Sequence, residues 1–258
     1  MKIIFLSTLF FLSSNFIAAQ SVEDQHSLFT LILQDYVSNG LVNYKKLKDD
    51  KRLDNYIAQL ENTNPKKNVN EKNHLAFWIN AYNAYTLKFI IEKYPVESIN
   101  DLHWGGLHLG SLLGTTIWDD EIIVINGDEL SLNNIEHDII RKMFDEERIH
   151  FALVCASISC PPLRNEAYEG YKLDSQLSEQ AELFFKDVTK NNFDQITKTA
   201  YLSKILNWYE IDFGGNKQEI LNYVARFIDK EIAENIKSNF SEWNVEYMHY
   251  NWDLNEYK

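Results

Sequence analysis

Between residues 71 and 94 the chain carries a helical pattern that is apolar nearly all round. Leu75, Trp78, Ile79, Tyr82, Tyr85, Leu87, Phe89 and Ile90 leave no broad polar face. Such a helix has to be buried on every side, so it predicts a central element with the rest of the chain around it. Pro95 stops it, because the residue before a proline is pushed out of helical geometry. Further helices are expected over 23–37, over 46–61 ended by Asn64-Pro65, over 131–144 capped by Ser131, and over 173–188, 202–209, 217–227 and 231–238. Strands are expected to be few: 122–125, turned at Asn126-Gly127, a buried run over 149–155, and 245–250. The expected class is α+β, a helix-rich single domain over 20–258 with a small mixed or antiparallel sheet.

The first residues predict a separate fate. Lys2 precedes an apolar run over 3–11 that continues loosely to Ile17, and Ala18 and Ala19 close it. That is the form of a secretory signal peptide over 1–19, cleaved after Ala19. Ser7, Thr8, Ser13, Ser14 and Asn15 dilute the run below a spanning helix. The expected location is therefore periplasmic or extracellular, with no membrane insertion after cleavage. A formal charge of −13 argues against nucleic acid and anionic membranes as partners.

An exported chain can form disulfides, yet this one has only Cys155 and Cys160. They lie in His150-Phe-Ala-Leu-Val-Cys-Ala-Ser-Ile-Ser-Cys-Pro-Pro-Leu-Arg164, where an apolar run enters a loop of small residues and two prolines stiffen the exit. Three readings stay open. Cys160 is a nucleophile served by a nearby base, or the two sulfurs form a disulfide, which needs Cα atoms within about 7 Å, or both are inert core thiols.

The base is argued from geometry. A helix from Ser131 and a strand ending at Cys155, joined by a short loop, should pack antiparallel and bring Glu136 and His137 beside the cysteines. His150 would start that strand, about 16 Å from Cys155 if the strand is straight. His137 is therefore the expected base and His150 the alternative, with Glu136 orienting the imidazole or lining the pocket. Asn80 and Arg164 are candidate substrate contacts, set against hydrogen bonding within the core for the first and a surface salt bridge for the second. No metal or cofactor is expected: His103 and His108 lack a third ligand at recognised spacing, and no phosphate loop or dinucleotide fingerprint occurs.

Several blocks resemble a known family. Leu75-Ala-Phe-Trp-Ile-Asn-Ala-Tyr-Asn-Ala84, Leu130-Ser-Leu-Asn-Asn-Ile-Glu-His137, Arg148-Ile-His-Phe-Ala-Leu-Val-Cys-Ala-Ser157, Ser159-Cys-Pro-Pro-Leu-Arg164, Leu202-Ser-Lys-Ile205 and Tyr250-Asn-Trp-Asp-Leu-Asn255 are similar to the domain of unknown function 547. The resemblance implies a fold related to cysteine proteases, papain-like, with a Cys and a His at its site. The expected function is an exported cysteine-dependent hydrolase or transferase acting on an amide or thioester of a small peptide-like substrate. Backbone N–H groups of 156–159 are its expected oxyanion donors. The alternative is a non-catalytic module that binds a peptide or glycan.

Overall fold

The computed structural model describes residues 25–67, 70–102, 117–120 and 122–257. The expected signal peptide and the Gly-rich stretch 103–114 lie outside the described residues. The long helix Glu71–Lys93 starts where the Asn70 side chain accepts the Asn73 amide at 2.8 Å. From Leu75 to Leu87 it is buried without a break, as its pattern requires. Helix Arg52–Glu61 packs along it and Ser27–Tyr36 packs on Arg52–Glu61. The single helix expected over 46–61 is instead two, Tyr44–Leu47 and Arg52–Glu61. Asp50 breaks it by accepting the Arg52 amide at 2.8 Å, a local bond that competes with helix continuation.

The fold is helix-rich α+β with small sheets. Hairpin β1 (Val37–Ser38) and β2 (Leu41–Val42) turns at Asn39-Gly40, and β3 (Ile123–Ile125) and β4 (Asp128–Leu130) turns at Asn126-Gly127. All four turn residues have positive φ, which is the backbone a two-residue Asn-Gly hairpin needs. The third sheet is mixed: β5 (Asn192–Asp194) pairs antiparallel with β6 (Thr199–Leu202), and β6 pairs parallel with β7 (Asn244–Tyr247). No described helix is long and apolar enough to cross a membrane.

Two apolar clusters form the interior. One surrounds the long helix. The other is aromatic, with Phe151 5.0 Å from Phe184 and Phe213 4.9 Å from Tyr223 between ring centroids. Cys155 and Trp252 pack against both clusters, so the cysteine loop sits on their seam.

The buried strand expected over 149–155 is not formed. Residues Glu147–Phe151 make a 3-10 helix, and the chain then runs irregularly to Cys155. The partner that a strand would need is replaced by one side chain of the long helix. Asn83 Nδ2 donates to the Ala152 carbonyl at 2.9 Å and Asn83 Oδ1 accepts the Val154 amide at 3.0 Å. A short apolar run fits a buried helical turn as well as a strand, and the buried amide decides between them.

The loop's exit is held from the opposite side. Leu163 N–H donates to the Gly40 carbonyl at 3.3 Å, and a Cβ on Gly40 would lie 2.3 Å from Pro162 Cβ. Gly40 also has φ +79°, where an L side chain is strained. Gly40→Ala is therefore expected to cost about 2 kcal/mol or more, read as a fall of several degrees in the thermal midpoint. An unchanged midpoint would mean that the hairpin does not press on the proline exit.

Candidate active site

A cavity of about 390 Å³ opens at the seam, with Cys155, Cys160 and His150 on its wall. Cys155 and Cys160 are joined as a disulfide with Cα atoms 6.1 Å apart. Of the three readings of these sulfurs, the covalent pair is the one the structure contains. The Cys155 N–H also points at Cys160 Sγ, 2.8 Å away. Cys155 Sγ lies 3.3 Å from both the Tyr250 and Ser157 hydroxyls. Burial pushes the Tyr250 phenol up, so that hydroxyl stays protonated. Ala156, directly after Cys155, has φ 60°, a conformation disfavoured for a residue with a Cβ.

His150 is almost fully buried, at 4% exposure. Its Nε2 lies 2.6 Å from Asp212 Oδ2, and its ring stacks on Tyr209 with centroids 4.0 Å apart. Asp212 is gripped from the other side by Arg141, whose Nε and Nη2 donate to its two oxygens at 2.7 Å each. Burial pushes the Asp212 carboxyl up, but the bonds from His150 and Arg141 outweigh it and hold it well below the usual carboxylate range. The imidazole is thus fixed by a carboxylate that is itself fixed.

Glu136 and His137 come close to this system in other roles. They lie on a π-helical stretch, Asn134–Ile140, in which the Arg141 amide bonds to the Glu136 carbonyl five residues back. Glu136 lines the cavity and accepts from the Tyr209 hydroxyl at 2.5 Å, so it backs the ring on which His150 stacks. Burial, followed by the Glu136 charge, pushes the Tyr209 phenol up and keeps it a donor. The carboxylate that orients a histidine here is Asp212, not Glu136. His137 Nδ1 lies 3.0 Å from Arg141 Nη1, and His137 is not among the residues lining the cavity. Since a guanidinium can only donate, that nitrogen is an acceptor already in use. A straight strand after His150 would have carried that residue away from the sulfurs. With a 3-10 turn in its place, His150 and not His137 shares the cavity with them.

The remaining expected contacts are used inside the fold. Asn80, fully buried, binds the Tyr168 carbonyl and amide at 2.8 Å each. Arg164 pairs with Glu166 at 2.5 Å and Glu179 at 2.6 Å. Neither lines the cavity. In the 156–159 loop, the Ile158 N–H donates to the Asp253 carbonyl at 2.8 Å and the Ser159 N–H to the Asn251 carbonyl at 3.2 Å. Those two amides therefore brace the loop against the C-terminal segment instead of facing an oxyanion. Among the described residues, no group of three or more His, Cys, Asp or Glu is arranged to hold a metal ion.

Asp212, Arg141, Tyr209 and Trp208 did not stand out in the sequence, and Tyr250 and Trp252 did so only within the block Tyr250–Asn255, with no role at the site. Asp212 lies 62 residues from His150 with no motif spacing between them. The only local signal is the density of rings and carboxylates in Trp208-Tyr-Glu-Ile-Asp-Phe-Gly-Gly215.

Fold and site together define a helix-rich α+β protein in which a disulfide-bearing cavity is backed by a buried His150 held by half-buried Asp212 and Arg141. Residues 66–185 match the family described as protein of unknown function, DUF547. That span holds the long helix, Glu136, His150 and both cysteines, so the motif blocks within it fall inside the family match. Tyr209, Asp212, Tyr250 and Trp252 lie beyond it. No curated protein and no solved structure matches the chain.

Proposed function

We propose that the protein is an exported cysteine-dependent hydrolase or transferase, acting on an amide or thioester, whose working form is the reduced one. The observation that carries this reading is His150: a buried imidazole clamped through Nε2 by Asp212, on the wall of a cavity that both sulfurs share. In this reading an external dithiol supplies two electrons and two protons to the Cys155–Cys160 disulfide and leaves as a disulfide itself. Cys160 is then the nucleophile, and the Cys155 N–H favours its thiolate by hydrogen bonding to the charged form. His150 takes the thiol proton as the sulfur bonds to the substrate carbonyl carbon. It passes the proton to the departing amine or thiolate, and water or another nucleophile then cleaves the thioester.

The test is alkylation of dithiol-reduced protein with iodoacetamide at pH 7, with each sulfur located by peptide mapping. Cys160 is expected to react first, with a rate that drops by about 10²-fold in His150→Ala. Equal rates in the two proteins would overturn the reading. Labelling confined to Cys155 would overturn the choice of Cys160.

The disulfide itself favours a second reading, a binding module in which the cystine staples the cavity wall. A five-residue separation closes too small a loop for the staple to add much stability by chain entropy. Under this reading reduction weakens ligand binding by loosening the wall, and no thiol reacts faster than a free cysteine.

A further inference from the structure

The cavity's walls differ in chemistry. Three of the lining rings are in mutual contact: Trp208 and Tyr250 at 4.7 Å, Tyr250 and Trp252 at 4.5 Å, and Trp208 and Trp252 at 5.6 Å between centroids. Tyr250 is buried and Trp252 half-buried, but Trp208 remains 47% exposed, an indole held at the rim and open to whatever enters. The formally charged side chains on the wall are Glu136 and Asp119, and no Lys or Arg lines it among the described residues. Arg141 is committed to Asp212 and lies over Tyr209, 5.1 Å from that ring's centroid. Glu136 is only 7% exposed, accepts from the Tyr209 phenol, and forms no ion pair with a Lys or Arg among the described residues.

From this arrangement we infer that the cavity takes a ligand carrying an ammonium group, such as an amide of a basic amino acid or a short basic peptide. The π faces of Trp208, Tyr250 and Trp252 attract a cation through their quadrupoles. Glu136 and Asp119 add a negative potential in a partly enclosed space, where such a potential is less screened than at the surface. The net charge of −13 draws cations toward the molecule and repels anions at longer range. A carboxylate- or phosphate-bearing ligand would meet acidic side chains with no Lys or Arg among the described lining residues to receive it, and is disfavoured by the same wall. As a statement about substrate, the inference rests on the proposed thiol chemistry. As a statement about binding, it does not.

The test therefore uses the oxidised, full-length protein, in which no thiolate exists. Binding is followed by the fluorescence of Trp118, Trp208 and Trp252, which all face the cavity. The probes are Nα-acetyl-lysine amide, its uncharged analogue Nα-acetyl-norleucine amide, the acidic Nα-acetyl-glutamate amide, and N-acetylglucosamine as a neutral sugar. The lysine derivative is expected to bind about tenfold more tightly than the norleucine derivative, and the glutamate derivative more weakly than both. Glu136→Gln keeps an acceptor for the Tyr209 hydroxyl and should reduce the lysine preference several-fold. Should that variant fail to fold, the wild-type preference must still shrink between low and high salt. Tighter binding of norleucine, glutamate or the sugar, or no binding of lysine at all, would overturn the inference. If lysine is preferred while the alkylation rates prove independent of His150, the catalytic reading fails and the ligand class stands. The opposite pair of results removes the ligand class alone.

Discussion

An Asp212→Ala variant is expected to lose about 3 kcal/mol of stability, the low end of the scale for removing one partner of a buried ion pair because Asp212 and Arg141 are only half-buried, together with most of its thiol reactivity after reduction. Asp212 binds both Arg141 and His150, so its loss strands a guanidinium and an imidazole at once. The pH dependence has a definite sign. A carboxyl held below its ordinary range contributes stability that is complete above about pH 4, the value of an unperturbed Asp, and that is lost as pH falls through its depressed folded value. The gap between wild type and Asp212→Ala should therefore be widest at neutral pH and should close only in strong acid. Asp212→Asn separates stability from chemistry. It keeps the shape and one acceptor, so it should cost less stability, but its amide can donate to His150 and favour the wrong tautomer. Alkylation of reduced protein is expected to slow by about 10²-fold or more in Asp212→Asn. Urea denaturation across pH and the alkylation rate measure the two effects separately. A pH-independent stability gap, or an unchanged alkylation rate in Asp212→Asn, would remove Asp212 from the role given to it.

Asn83→Leu carries the next largest effect. The Asn83 amide sits on the long helix at 2% exposure and satisfies one acceptor and one donor of the main chain entering the cysteine loop. Leucine keeps the apolar bulk but leaves the Ala152 carbonyl and Val154 amide without that partner, a cost of about 3 kcal/mol at roughly 1–3 for each buried group. Asn80→Leu is the internal control. Asn80 makes an equivalent pair of bonds from the same helix, but to Tyr168, beyond the proline exit of the cysteine loop. Both variants should shift the urea midpoint to a similar degree. Only Asn83→Leu should also alter the reactivity of the reduced thiols, because it releases the turn that brings His150 and Cys155 to one cavity. A loss below about 1 kcal/mol in Asn83→Leu would show that other contacts hold the turn.

Much of the helical frame was legible from periodicity. The all-round apolar run became a helix buried without interruption from Leu75 to Leu87, and the Asn126-Gly127 turn formed where its dipeptide requires it. The split of the 46–61 helix had a local cause at Asp50, but the errors at the site share a distant one. An apolar run such as Ile149 to Cys155 is too short for its period to separate strand from helical turn. The side chain that settles it, Asn83, lies 69 residues before Ala152 and 71 before Val154, out of reach of any local pattern. Glu136 was recognised as part of the site, but the partner it serves, Tyr209, lies 73 residues away, and the carboxylate that holds His150 lies 62 residues away. No spacing rule links residues so far apart.

The helix-rich class, the central helix and the stiff Cys155–Cys160 loop with Glu136 nearby could all be read from the chain alone. They follow from period, proline and residue type, which act within a few positions of one another. The pairing of the cysteines, and the presence of His150 rather than His137 on their cavity, came only with the folded chain. So did the choice of Asp212 as the orienting carboxylate and the lining rings of Trp208, Tyr250 and Trp252. Each of these depends on where distant segments meet, and that is set by the packing of two apolar clusters across a seam rather than by any local preference.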